Sequence, residues 1–402
     1  MAKRPKSNKR SRTGDFLAVL VLFVFIGGFL DLWWRQKHPP TKSPALVNQI
    51  ATTPPAPPAI PPPATVTPPP IIPRPIQNPV QPAAPPPIVA PLPSIAVIPV
   101  VTANPNAETV TANAGGFPRP VHGGLEIQVA LAREGISPGS VDGALGSQTR
   151  AAIAAFQRSH DLPVTGKLDA ATKAELTLDD PLLTTYTVTS DDLARLQPLG
   201  KTWLEKSQQS ALDYETILEL VAEKAHAHPA LIRQLNPDID WNNVKPNTVV
   251  KITDISYPDI TDKAALVVIH LADKYLEAFD QETNLLVHFP CSIATRVEKR
   301  PVGELHVAVI APHPNYTFDP AVFPESPEAQ AIGHKLVLPP GPNNPVGIAW
   351  VGLDKPGYGI HGTPSPEEIG HTESHGCFRL TNWDAEYFSK LAWIGLRVEV
   401  VP

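Results

Sequence analysis

Four side chains capable of nucleophilic, acid-base or metal chemistry fall within seventeen consecutive positions: His361, His371, His375 and Cys377. A cysteine is already slightly ionised at neutral pH and intrinsically nucleophilic, so an imidazole that takes its proton makes it an acyl-transfer nucleophile. Such chemistry predicts a thioester intermediate. One histidine alone is more often structural than functional, but four such groups this close together point to a site. Zinc is the first alternative, because His and Cys are its usual ligands. The spacing argues against it: neither Cys-x-x-Cys nor His-Glu-x-x-His occurs here, and no carboxylate stands at a ligand-like interval on a helix. An acyl-transfer site fits better. Gly376, beside Cys377, lets a carbonyl approach the backbone closely, and adjacent N–H groups can face the oxyanion. No metal or cofactor is needed for this chemistry.

The elements that must hold these groups are short and β-rich. From Ala264 onward, Ala265–Leu271, Tyr275–Asp280 and Leu285–Phe289 read as strands, with a turn over Gln281–Asn284. Trp383–Leu391 reads as a helix with Thr381 or Asn382 as its N-cap, and Arg397–Val401 as a closing strand. Many short strands predict a sandwich or barrel. Cys291, in the apolar run His288–Ile293, reads as a small buried hydrophobe, and both cysteines of the chain read as free thiols.

Upstream, the composition changes twice. Of 50 prolines in 402 residues, 23 lie between Pro39 and Pro99, in a stretch nearly devoid of charge and aromatic residues. Polyproline II is its expected conformation, and residues 35–118 read as a disordered, semi-rigid spacer reaching on the order of 200 Å at roughly 3.1 Å per residue. Before it, Phe16–Trp34 is apolar apart from Asp31 and the Gly27-Gly28 pair, and it follows a basic tail over residues 1–15. Its length of about 19 residues predicts a single membrane-spanning helix, N-terminus cytoplasmic, with Trp33 and Trp34 at the far interface. A cleaved signal peptide is the rival reading. Everything downstream is then expected outside the cytoplasm. The net charge of −6, with no basic patch beyond the tail, argues against nucleic acid as a partner.

Between spacer and catalytic region the chain carries two further patterns. Leu125–Leu131, Ser147–Gln157 and Ala170–Leu176 read as three helices joined by Gly-rich turns. The order Val141-Asp142-Gly143, Thr149-Arg150-Ala151-Ala152, Phe156-Gln157, Leu162-Pro163-Val164-Thr165-Gly166 and Leu168-Asp169 resembles the small three-helix peptidoglycan-binding domains, placed at 121–180. Residues 184–255 begin Tyr186-Thr187-Val188, continue to Asn236-Pro237 and close on Val249–Ile252. They are similar to a degenerate LysM module with an insertion of about thirty residues. Glycan binding and a structural connector both remain open for it.

The run His361-Gly362-Thr363, then Ser374-His375-Gly376-Cys377-Phe378-Arg379-Leu380, resembles the signature of the L,D-transpeptidase catalytic domain, the YkuD family, over 264–402. Pro339–Gly347 resembles the segment preceding its catalytic strands. The turn expected upstream is reduced to Arg300-Pro301-Val302-Gly303-Glu304. The resemblance implies a multidomain protein with a mainly β catalytic domain, Cys377 as nucleophile, and His361 as general base oriented by the Gly362 carbonyl. His375 would shape the site, Gly376 would serve the oxyanion region, and Ser374 and Arg379 would support or meet the substrate. His371 has no family counterpart. It further implies peptidoglycan stem peptides and glycan as partners, a thioester formed with release of D-alanine, and transfer to another stem's amine as a 3→3 cross-link. Water as acceptor would make a carboxypeptidase or hydrolase, and an envelope protein's amine would give protein attachment. A catalytically silent wall-binding scaffold is the alternative from another class. The family also implies a periplasmic address.

Overall fold

The computed structural model describes residues 116–370 and 376–402. The basic tail, the Phe16–Trp34 span, nearly all of the proline-rich spacer, and His371, Ser374 and His375 lie outside the described residues. Among the described residues no helix is long and apolar enough to cross a membrane.

The first part is helical. Strand β1 (Arg119–Pro120) pairs with β2 (Thr177–Leu178), closing a unit that contains α1 (Gly123–Arg133), α2 (Ser147–Ser159) and α3 (Ala170–Glu175). The apolar residues of α1 and α2 recur at helical spacing and bury Ile127, Val129, Leu131, Ile153 and Phe156. Asp169 caps α3 by accepting from the Thr172 N–H.

The LysM-like segment pairs β3 (Leu183–Thr187) antiparallel with β4 (Val249–Thr253), flanking α4 (Ser190–Ala194), α5 (Trp203–Ser207), α6 (Ile217–Lys224) and α7 (Pro229–Leu235). Thr189, Thr202 and Thr216 each form a capping box with the acidic residue three positions on, which fixes the starts of three short helices. Asn236 ties the end of α7 to β4: its Nδ2 donates to the Lys251 carbonyl (2.8 Å) and its Oδ1 accepts from the Lys251 N–H (2.8 Å). This segment and the helical unit share one continuous hydrophobic core running from Val121 to Ile252.

The third part centres on an eight-stranded open sheet. Its strands are β5 (Leu266–His270), β6 (Tyr275–Phe279), β7 (Leu285–Pro290), β8 (Gly303–Pro312), β11 (Ala349–Leu353), β12 (Gly359–His361), β13 (Phe378–Arg379) and β14 (Arg397–Val401). Between β8 and β11 the chain makes a flap of β9 (Tyr316–Phe318), α8 (Pro327–Ile332) and β10 (Leu336–Leu338), with β9 and β10 paired antiparallel. The spatial order is β13-β12-β11-β8-β14-β5-β6-β7. The last strand therefore lies in the middle, parallel to β5 and antiparallel to β8. Alternation in β5 and β14 buries Val267, Ile269, Val398 and Val400 on the inner face. Helix α9 (Asn382–Leu391), capped by Thr381, buries Trp383, Phe388 and Leu391 and packs against β8, β11 and β12.

The helical unit is docked on this sheet rather than tethered to it. Ile136 bridges to His288 in parallel, with Ser137 N–H to His288 O at 2.8 Å and His288 N–H to Gly135 O at 3.1 Å. Arg158 pairs with Glu277 at 2.5 Å, and the Ser137 hydroxyl donates to the buried Asp384 carboxylate at 3.1 Å.

Candidate active site

β12 ends at His361 and runs parallel to β13, placing Ile360 beside Phe378 and His361 beside Arg379. Paired residues share a face, so His361 and Arg379 project from the same side of the sheet, and Cys377 lies at the entry to β13, hydrogen-bonded to the Gly359 backbone. Gly359 stands beside Cys377 in this register. A Cβ at Gly359 would lie 2.6 Å from the indole of Trp350, and Trp350, paired with His361 across β11 and β12, stacks on the imidazole with centroids 5.5 Å apart. The indole walls one side of the ring and holds its plane.

His361 is 3% exposed, and its Nδ1 lies 2.7 Å from the Gly362 carbonyl. A carbonyl can only accept, so Nδ1 carries the hydrogen and Nε2 is left as the basic atom. Burial pushes the imidazole pKa down to about 3, the Gly362 bond opposing and the Arg379 charge adding to the shift. The ring is therefore neutral at rest, as a proton acceptor must be. Cys377 is partly exposed, and its thiol lies 3.4 Å from the Gly357 carbonyl. Burial pushes this thiol up to about 11, partly offset by the Gly359 backbone and by Arg379. At neutral pH the Cys377 thiol and the His361 imidazole are both uncharged.

Arg379 is half-buried, and its backbone pairs with Ser292 on both sides at 2.9 Å. Loss of hydration lowers its pKa, while the charges of Cys377, Tyr316 and Glu368 act in the opposite sense. Tyr316, on β9 of the flap, is pushed up to about 12 by burial and feels both Cys377 and Arg379. The flap thus brings a phenol to the thiol and the guanidinium.

Below the histidine, Asn382 is fully buried. Thr381 caps α9, which leaves the Asn382 amide for other work. Its Oδ1 accepts from the Thr363 N–H (3.1 Å) and the Ile348 N–H (3.3 Å), and its Nδ2 donates to the Pro342 carbonyl (3.1 Å) and to both carboxylate oxygens of Glu223 (3.2 and 3.0 Å). The approach is close enough that a Cβ on Gly362 would sit 2.2 Å from Oδ1. Only glycine fits at that position.

Of the residues singled out from sequence, the structure brings Cys377, His361, Gly362 and Arg379 to one place, and it buries Gly376 next to the Tyr358 ring. Ser374, His375 and His371 fall outside the described residues. Among the described residues no group of three or more His, Cys, Asp or Glu side chains gathers as a metal site. Cys291 is completely buried, and burial raises its thiol pKa. Sequence reasoning missed Trp350, Tyr316, Asn382 and Glu223. Only Asn382 left a signal, as the second of two adjacent candidate caps.

Residues 264–400 match the family model of the L,D-transpeptidase catalytic domain, YkuD, and residues 125–176 match "Putative peptidoglycan binding domain". "Putative L,D-transpeptidase YkuD" of Bacillus licheniformis is 25% identical over 188 residues, covering 47% of this chain and 94% of that protein. "Putative L,D-transpeptidase YqjB" of Bacillus subtilis is 32% identical over 103 residues, covering 24% of this chain and 49% of that protein, so the chain spans about half of this second relative. Among solved structures, L,D-transpeptidase 3 from Mycobacterium tuberculosis is a distant likeness: TM-score 0.28 and 18% identity, over 40% of this chain and 77% of that one. The family matches place an L,D-transpeptidase catalytic domain behind a helical peptidoglycan-binding domain. Residues 264–400 thus match an L,D-transpeptidase catalytic domain, and the curated relatives they resemble carry that name.

Proposed function

We propose that the chain is a membrane-anchored peptidoglycan L,D-transpeptidase that forms a Cys377 thioester with a stem tetrapeptide and passes the acyl group to an amine. The observation that carries this reading is the buried His361, whose Nδ1 is committed to the Gly362 carbonyl and whose strand pairs with β13, which follows directly on Cys377. The thiol attacks the carbonyl of the third stem residue as Nε2 takes its proton. The resulting imidazolium protonates the departing D-alanine amine, and Nε2 then deprotonates the incoming amine as the thioester breaks. Arg379, a half-buried cation with no side-chain ion pair among the described residues, suits a substrate carboxylate. Backbone N–H groups near Gly376 and Cys377 serve the oxyanion, with His375 and Ser374 in supporting roles.

The Phe16–Trp34 span anchors the chain in the cytoplasmic membrane with the catalytic part in the periplasm, and the proline-rich spacer lets it reach the wall. Glycan and stem peptide are its partners. Transfer to an amine gives a direct 3→3 cross-link or attachment of an envelope protein, and transfer to water gives hydrolysis. Incubating the full chain with purified disaccharide-tetrapeptide and analysing the muropeptides by mass spectrometry tests this. Cross-linked dimers are expected from the native chain and none from Cys377→Ala; dimers from the variant would overturn the assignment of the nucleophile, and trimmed monomers alone would favour the hydrolytic reading.

A further inference from the structure

We propose that Glu223, on α6 of the LysM-like segment, is a positioning residue for the catalytic histidine, acting through Asn382. The inference rests on His361 being the base for Cys377. It makes the LysM-like segment part of the catalytic centre rather than a separate binding module.

The connection is continuous. The Glu223 carboxylate accepts from Asn382 Nδ2 at 3.0 and 3.2 Å, Asn382 Oδ1 accepts from the Thr363 N–H at 3.1 Å, and the residue before Thr363 supplies the carbonyl that holds His361 Nδ1 at 2.7 Å. Every hydrogen bond in this series has a fixed direction. Oδ1 faces two backbone donors, whereas Nδ2 faces a carboxylate and a carbonyl, so a flipped amide would set like against like at four contacts. Glu223, with the Pro342 carbonyl, reinforces the one Asn382 orientation that can hold the Thr363 and Ile348 N–H groups.

Three further hydrogen bonds and one close approach press the same segment onto the catalytic loops. Leu212 N–H donates to the Pro340 carbonyl and Asn343 N–H to the Leu212 carbonyl, both at 2.9 Å. Gly341 passes so close that a Cβ would sit 2.1 Å from the Leu212 carbonyl oxygen, and Asn343 Nδ2 donates to Glu219 Oε1 at 2.5 Å. Pro339–Gly347 is therefore the strip on which the LysM-like segment docks. Glu223 is itself held by the Tyr214 hydroxyl at 3.1 Å, and burial pushes its carboxyl up to about 7 against the bonds from Asn382 and Tyr214. Without Glu223 the Asn382 amide would lose a buried acceptor that contacts it through both oxygens, and a Gly362 carbonyl that moves by a fraction of an ångström would turn Nε2 away from the thiol.

The test compares Glu223→Leu and Glu223→Gln in the full chain by two readouts: D-alanine release from disaccharide-tetrapeptide, and alkylation of Cys377 by iodoacetamide at high pH, where the thiol ionises without a base. For E223L we expect kcat to fall about ten- to a hundredfold, the loss that misplacement of a catalytic group brings. KM and the alkylation rate should stay within about twofold, because substrate binding and the thiol are not what was moved. E223Q keeps an oxygen that accepts from Asn382, and most of the turnover should return. Native kcat in E223L overturns the proposal. So does a parallel fall in turnover and alkylation that E223Q does not reverse, since that describes general loss of structure. Should E223L not fold, Glu223→Ala, which admits water in place of an apolar wall, is read by the same criteria. Persistent D-alanine release in Cys377→Ala would instead refute the nucleophile assignment, independently of Glu223.

Discussion

The resting pair of Cys377 and His361 should be neutral, and the pH dependence of thiol reactivity tests that directly. Burial holds the imidazole near 3 and the thiol near 11. At about 1.4 kcal/mol per pH unit, moving the proton from thiol to ring in the absence of substrate costs on the order of 10 kcal/mol. The attraction between the new charges returns only about 4 kcal/mol at 4 Å and an effective dielectric near 20. A preformed thiolate-imidazolium pair is thus scarce. At pH 7 only about one thiol in ten thousand is ionised, roughly a hundredfold fewer than for an unperturbed group. The rate of Cys377 carboxamidomethylation by iodoacetamide, followed by intact-mass spectrometry from pH 5 to pH 11, should therefore climb about tenfold per pH unit with no low-pH plateau. His361→Asn should leave that profile nearly unchanged while abolishing acyl transfer, because the base is needed only as the carbonyl is attacked. A plateau of fast alkylation between pH 4 and pH 7 that disappears in His361→Asn would refute the reasoning, since it is the signature of a standing ion pair.

Two further outcomes follow from the same packing. Asp384 is fully buried, and burial raises its pKa to about 7 against the bonds from Tyr257, Thr381 and Ser137. The folded state keeps this proton in the window from about 4 to about 7 where the unfolded chain has lost it, so the contribution of Asp384 to stability is full at low pH and declines as pH rises toward 7. His226 and His361, held near 3, act oppositely below about 6.5, so the native curve alone mixes both signs. Asp384→Asn removes one of them: its stability relative to the native chain should improve by up to about 1.4 kcal/mol per pH unit between pH 5 and pH 7, read as the difference in Tm, and parallel curves would contradict this. Deleting residues 121–178 should abolish cooperative unfolding and turnover together. It strips Ile127, Val129, Leu131, Ile153 and Phe156 from the shared core, at roughly 1.5–3 kcal/mol each, a sum comparable to the whole stability of a domain. A sharp native-like melt of the truncated chain would show the two parts to be separable.

Much of this protein is legible without its structure. The thiol and its histidine announce themselves because reactive groups are chemically rare and their motif is contiguous: Cys377, Gly376 and Arg379 come from one run, and His361 with Gly362 from another. The strands Leu266–His270, Tyr275–Phe279 and Leu285–Pro290 follow from period-two burial, and the helix from Asn382 follows from a threonine cap and an apolar stripe. These are local properties, fixed by which neighbours a residue has along the chain. The domain divisions drawn from sequence gave no hint that the helical unit and the LysM-like segment share one core, since apolar residues show which face is buried but not against what.

What supports the site is non-local. Tyr316 comes within electrostatic range of the thiol because β9 lies in a flap between two strands of the sheet, and Trp350 stacks on the imidazole because β11 pairs with β12. Glu223 and Asn382 are 159 residues apart, and neither has a spacing or motif that could connect them. The sequence determined the reactive groups and the elements that carry them, because reactivity and secondary structure are written in adjacent residues. Tertiary structure alone decided which carboxylate, indole and amide surround His361, because hydrogen bonds and ring stacking depend on ångström-scale distances that only the packed chain sets.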